Sequence, residues 1–224
     1  MSESFDCTTD AELRRGVVRA AAVLSRGGVA LLPADSSYAL AADAFDPAAV
    51  RTMLHLKGSD RSVPVPVLIA SAETLSGLVE TITPAMAAAA ERFWPGGLTM
   101  IVRSAPTLAW DLGQTESTVA LRVPQHPVIR AVVEKTGPLA VLSANAAAAA
   151  LPLSVPQALT ALGDPDDIEV ILDAGSLDGA PRVSSIVDLT GPEPRWVRDG
   201  EISADDVMAV MPMQDGSEPA SPPS

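Results

Sequence analysis

The chain has two lysines, Lys57 and Lys135, against thirteen arginines, and Lys57 opens the segment Lys57-Gly58-Ser59-Asp60-Arg61. That segment joins a short helical pattern to the apolar run Val65 to Ile69. An ammonium on a flexible stem suits a phosphate oxygen or a developing negative charge. The plainer alternative is a solvated lysine near a helix C-terminus, where the helix dipole favours it. Arg122 offers a second kind of chemistry. It lies at the end of an apolar strand pattern, Val119 to Val123, where a desolvated guanidinium needs an anion. Its planar fork could take a ligand carboxylate or an Asp or Glu of the chain. Arg61 and Arg198 are further cations in candidate segments. Short polar side chains stand at predicted strand ends: Ser36 and Tyr38, Thr118, Ser143 and Asn145, and Ser184. Each could touch a ligand, cap a turn or, for Tyr38, pack half-buried.

Composition narrows the field. The 224 residues suit one large domain or two small ones. Apolar residues make up 47% and aromatic ones 3%, so Val, Leu, Ile and Ala must build the core. A formal charge of −13 argues against non-specific nucleic-acid binding, which depends on Lys and Arg neutralising phosphates. A single cysteine, Cys7, excludes an internal disulfide and a multi-cysteine zinc site. Two histidines, His55 and His126, cannot form a His-rich cluster, and no metal-ligand set is expected. The polar N-terminus lacks an apolar leader core. No apolar run reaches the roughly 18 residues of a membrane span. A soluble cytoplasmic protein is expected.

The elements that must position these side chains can be read from periodicity. Leu13, Val17, Ala20 and Leu24 predict a helix over 10–26, closed by Gly27-Gly28. Asp46-Pro47 and Thr83-Pro84 read as N-caps followed by proline at the first helical position. The first starts a helix to about Leu56; the second starts an Ala-rich helix to about Trp94. Further helices are predicted at Pro127 to Lys135, Pro156 to Leu162 and Ala204 to Val210. Strands are predicted at Val29 to Leu32, Val65 to Ile69, Leu98 to Val102, Val119 to Val123, Leu139 to Ser143, Val170 to Leu172, Ser185 to Leu189 and Trp196-Val197. Mixed strands and helices without strict alternation imply an α/β or α+β domain with a mixed sheet. The expected layout is an arm over 1–9, one domain over 10–211, and a disordered tail over 212–224 that is rich in Pro and Ser.

Seven segments, in one order, resemble one family. Pro33-Ala34-Asp35-Ser36-Ser37-Tyr38-Ala39-Leu40 resembles P-T-D-T-x-Y-G-L, and Lys57-Gly58-Ser59 resembles K-G-R. Phe93 to Thr99 matches F-W-P-G-x-L-T, and Ala120 to Pro127 matches A-x-R-x-P-x-H-P. Ser143-Ala144-Asn145 matches S-A-N, Ser184 to Asp188 resembles S-T-I-V-D, and Val197 to Gly200 resembles L-R-x-G. The chain is thereby similar to the YrdC-like domain of threonylcarbamoyl-adenylate synthases from about Leu13 to Ile202. The resemblance implies a single domain with a twisted mixed sheet flanked by helices and a deep concave cleft. It implies condensation of L-threonine, bicarbonate and ATP, with Mg2+, into threonylcarbamoyl-adenylate and pyrophosphate. A downstream enzyme would pass the group to a tRNA adenosine. It assigns ATP to Lys57, Arg61, Thr118, Ser143, Asn145 and Arg198, and threonine to Ser36, Tyr38, Arg122 and Ser184. It leaves the catalytic residues unassigned. Phe93 and Trp94 are read as packing.

Departures from the family pattern gather at these positions. Ala34 and Ser36 replace threonines, and Ala39 and Ala41 replace glycines that could adopt φ > 0 or admit a ligand. Ser59 replaces an arginine, with Arg61 two residues on as a stand-in. Ala147 and Ala148 stand where Ser-Gly would follow the S-A-N turn. The alternative to a working synthase is an impaired relative that binds a nucleotide or handles another carbamoyl acceptor.

Overall fold

The computed structural model describes residues 2–62, 64–146, 149–163, 165–177 and 183–211. In chain order, β1 (Glu3–Asp6) leads into α1 (Asp10–Leu24), followed by the hairpin of β2 (Val29–Pro33) and β3 (Tyr38–Asp43). Next come α2 (Pro47–Lys57), β4 (Val67–Leu68), a 3-10 turn (Ala72–Thr74) running into α3 (Leu75–Leu78), α4 (Pro84–Phe93) and β5 (Leu98–Arg103). The second half holds β6 (Thr118–Arg122), α5 (Pro127–Thr136), β7 (Leu139–Ser143), α6 (Val155–Leu162), β8 (Ile168–Asp173), β9 (Ser185–Asp188), β10 (Arg195–Arg198) and α7 (Ala204–Val210).

The described strands form one mixed sheet in the order β1-β8-β2-β3-β7-β4-β6-β5-β9-β10. Pairs β1/β8, β2/β8, β4/β6 and β5/β9 are parallel; the rest are antiparallel. Side chains alternate across the sheet with period two. Along β2, Ala30 and Leu32 face α1 and α5 with Val128, Ile129, Val132 and Leu172. Val29 and Leu31 join the opposite and larger core, which takes in α2, α4 and α7 through Met53, Met86 and Val207. This is the α/β architecture expected from the sequence.

Three local expectations change. The first nine residues contribute a strand, β1, which docks in parallel on β8 and buries Phe5. Tyr38 to Asp43 form a six-residue strand between β2 and β7, where periodicity predicted no element. The run Val65 to Ile69 pairs as a strand only at Val67–Leu68, because Pro64 and Pro66 lack donors for a ladder. The tail over 212–224 lies outside the described residues, as do Ala147 and Ala148.

Sheet curvature brings distant residues together. Asp35 lies in the four-residue link between β2 and β3, and Arg122 ends β6, four strands away. Flat spacing would separate those strands by about 19 Å. Asp35 and Arg122 nevertheless form an ion pair, so the sheet coils strongly across these strands.

Candidate functional site

One group of polar side chains forms where α2 ends. Gly58 takes the left-handed conformation, φ 66°, and caps the helix by donating to His55 O. That is a position where glycine carries no Cβ penalty. Lys57, the last helical residue, reaches the exit of β7. Its Nζ lies 2.7 Å from Ser143 O, 3.2 Å from Ser143 Oγ, 2.8 Å from Asn145 O and 3.1 Å from Asn145 Oδ1. Asn145 is buried, and its amide nitrogen donates to Ala149 O at 2.7 Å, which points Oδ1 at the ammonium. Four neutral acceptors surround three N–H donors, and no carboxylate pairs with Lys57 among the described residues. Partial burial pulls the Lys57 pKa below its ordinary value.

A second group joins the ends of β6, β9 and β10. Arg198 donates from Nε and Nη2 to Ser184 O at 2.9 and 2.7 Å, and from Nη2 to Ser184 Oγ at 3.0 Å. Ser184 Oγ in turn lies 2.8 Å from Oγ1 of the buried Thr99. Gly200 makes this approach possible, since a Cβ there would sit 2.5 Å from Val183 O and from the Ser184 carbonyl carbon. Arg122 donates from Nε to Gly96 O at 2.7 Å and from Nη2 to Asp35 Oδ2. Partial desolvation lowers the pKa of Arg198, and the charge of Arg122 lowers it further. The two guanidiniums therefore repel one another, and the ion-pair carboxylate, Asp35, is on Arg122 alone.

The link between β2 and β3 ties the two groups together. Asp35 anchors Arg122 at one end, and at the other Tyr38 O accepts from Ala144 N at 3.0 Å, between Ser143 and Asn145. Three residues span at most about 11 Å, so the groups are neighbours and the half-buried Ser36 lies between them.

Other candidates are committed elsewhere. Arg61 makes a two-pronged ion pair with Asp111 on the surface. Thr118 Oγ1 donates to Thr115 O at 2.6 Å within its own turn. Tyr38 is fully buried; its hydroxyl lies 2.7 Å from Gly175 O and accepts from Ala174 N at 2.9 Å. Burial drives the Tyr38 pKa strongly upward. Tyr38 was expected to line the threonine pocket; here its hydroxyl bolts β3 to the end of β8. Ala39 and Ala41 sit in the β3 ladder, and among the described residues the non-glycine positions with positive φ are Glu116 and Ser117. The two alanines are therefore unstrained, because this backbone never asks for φ > 0 there. Among the described residues no three His, Cys, Asp or Glu side chains gather as a metal-ligand set. No described helix is long and apolar enough to cross a membrane.

Three residues in these groups were not singled out by the sequence: Asp35, Gly96 and Thr99. All three lie inside quoted motifs, but only tertiary contact distinguishes them from scaffold.

Comparison with known proteins gives the family. The Sua5/YciO/YrdC family model, described as telomere recombination, matches residues 22–200. A Mycobacterium tuberculosis protein provisionally named a threonylcarbamoyl-AMP synthase is 40% identical over 94% of this chain and 96% of its own length. The threonylcarbamoyl-AMP synthase of Alkalilimnicola ehrlichii is 36% identical over 80% of this chain and 94% of its own. Among solved structures, Pyrococcus abyssi Sua5 complexed with L-threonine superposes with a TM-score of 0.79 at 28% identity. That match covers 91% of this chain and 59% of that one, so this chain spans a little over half of Sua5. Escherichia coli YciO shares the fold, with a TM-score of 0.77 at 23% identity over 89% of this chain and 96% of that one. With its sheet, its motifs in order and these relatives, the chain belongs to the Sua5/YciO/YrdC family.

Proposed function

We propose that this protein is an L-threonylcarbamoyl-adenylate synthase. The observation that carries the reading is local charge. In a chain of net charge −13, Lys57 in one polar group and Arg122 and Arg198 in its neighbour have one ion-pair partner among the described residues, Asp35 on Arg122. Such a surplus of cations suits a ligand rich in negative charge. ATP and an amino acid carboxylate together supply it. The curl of the sheet beneath these residues supports the cleft that the family resemblance implies.

In this reading Lys57, Ser143, Asn145 and Arg198 bind the polyphosphate, and Arg122 and Ser184 hold threonine, with Ser36 between them. A hollow of about 680 Å3 lined by Leu151, Pro152, Leu153, Pro156 and Thr160 lies beyond the Asn145 turn and offers apolar walls to the base. The threonine amine adds to the carbon of bicarbonate, and water leaves to give a carbamate. A carbamate oxygen then forms a bond to the α-phosphorus as the bond to pyrophosphate breaks. The chain's task is to hold these reactants in line and to offset charge on the phosphates. No side chain is assigned as acid or base. Mg2+ is read as arriving with the polyphosphate and held chiefly by phosphate oxygens and water. The product is a mixed anhydride prone to hydrolysis. It is best passed in the cytoplasm to the enzyme that modifies tRNA, and the acidic charge disfavours direct tRNA binding here.

A second reading, an impaired relative, is favoured by one observation. Ser59 replaces a family arginine, and Arg61, its nearest stand-in, is paired with Asp111. Incubation with ATP, bicarbonate and L-threonine decides between them. Synthase activity releases pyrophosphate and adenylate only when all three are present. ATP binding without pyrophosphate release supports the impaired relative.

A further inference from the structure

Asp35 is fixed before Arg122 is considered. Its Oδ1 accepts from the backbone N–H of Gln125 at 2.8 Å and of His126 at 2.5 Å, in the turn that starts α5. Only Oδ2 turns to Arg122. Arg122 is held at a second point by Gly96 O. Two anchors on one edge set both the position and the plane of a guanidinium. The pair is well shielded, with side-chain exposures of 14% for Arg122 and 12% for Asp35, so it differs from a loose surface bridge. Among the described residues no acceptor reaches Arg122 Nη1, and Nη1 is not among the buried unpaired atoms. The edge of Arg122 away from Nε therefore remains open.

We infer that Asp35 is a positioning residue that clamps Arg122 by one edge and thereby aims its open edge at the carboxylate of the amino acid substrate. The inference rests on the reading that Arg122 binds that carboxylate. Geometry of this kind is what support beyond the contacting residues provides: a cation misplaced by about 1 Å loses much of its benefit. Arg198 adds to the case. With a second guanidinium close by, an unclamped Arg122 would swing away from it.

The test is titration calorimetry on the full chain with L-threonine, L-threoninamide and ATP. Threoninamide lacks the carboxylate, so it reports damage unrelated to Arg122. Asp35→Glu keeps the charge but moves it by one methylene; Asp35→Asn keeps the size but removes the charge. In both, threonine affinity is expected to fall at least tenfold while ATP affinity stays within twofold, and the preference for threonine over threoninamide collapses. Unchanged threonine affinity in Asp35→Glu would overturn the inference even if Asp35→Asn fails to fold. Equal weakening of all three ligands would also overturn it, by reducing Asp35 to a structural role. If the unaltered chain binds ATP but no threonine, the reading beneath the inference falls before any variant is made.

Discussion

Replacing Lys57 by methionine separates a phosphate cation from a structural crosslink. Met keeps the stem and removes the ammonium. The four acceptors between 2.7 and 3.2 Å from Nζ lose their donor. Three charge-assisted bonds are lost, but desolvation of the cation is relieved, and half-buried acceptors can turn to water. The net cost to folding is about 1–3 kcal/mol, which lowers Tm by roughly 2–12 °C in a chain of this size. The cost to ATP is separate. One charged contact to a phosphate contributes about 1.5–3 kcal/mol, or about 10- to 150-fold in Kd. Calorimetric titration of ATP, well below the variant's Tm, reads that term alone. A folded Lys57→Met chain that binds ATP as tightly as the unaltered one would refute the phosphate role and leave Lys57 as a bond between α2 and β7.

Ser59→Arg restores the family's cation one residue past the Gly58 cap, and ATP affinity is expected to rise about tenfold, near 1.4 kcal/mol; no gain in calorimetry would mean that the existing cations already suffice. Gly200→Ala places a methyl 2.5 Å from Val183 O; the shift it forces should cost about 1–3 kcal/mol and displace Ser184 from Arg198, so Tm and ATP affinity fall together, and an unaltered Tm would refute the close packing. His126 caps α5 through Nδ1, which accepts from Val128 N at 3.3 Å, and burial lowers its pKa below 6.5 despite the opposing pull of Asp35. Between the folded and unfolded values the unfolded chain binds more protons, so this contribution is intact above about pH 6.5 and is lost as pH falls through the folded value. His126→Asn keeps a cap acceptor without titrating, so its Tm should fall less than the parent's between pH 7 and 5; parallel melting curves against pH would exclude the effect.

Helix starts were legible because their cause is local. Asp46 Oδ1 accepts from Ala48 N at 2.8 Å, and Thr83 Oγ1 from Met86 N at 3.2 Å, as the Asp-Pro and Thr-Pro pairs predicted. β3 was not legible. Its sequence, Tyr-Ala-Leu-Ala-Ala-Asp, is poor in β-branched residues, and the strand exists because β2 and β7 offer it partners on both sides. β1 was hidden for a related reason: a four-residue edge strand with one buried side chain, Phe5, shows no period.

The motifs named the family and most of the polar residues that meet in the two groups, since residue types at fixed spacing are a property of the chain alone. They also placed Lys57 at a helix end and Ser143 and Asn145 at a strand exit. Partners were decided only by the tertiary structure. Twenty-eight acidic residues could have paired with Arg122 or Arg61; the coiled sheet brought Asp35 to the first, and the segment before β6 brought Asp111 to the second. Tyr38 was turned into the core by the same pairing of β2, β3 and β8. Charge pairing depends on distances set by strands far apart in sequence, and no local pattern encodes them.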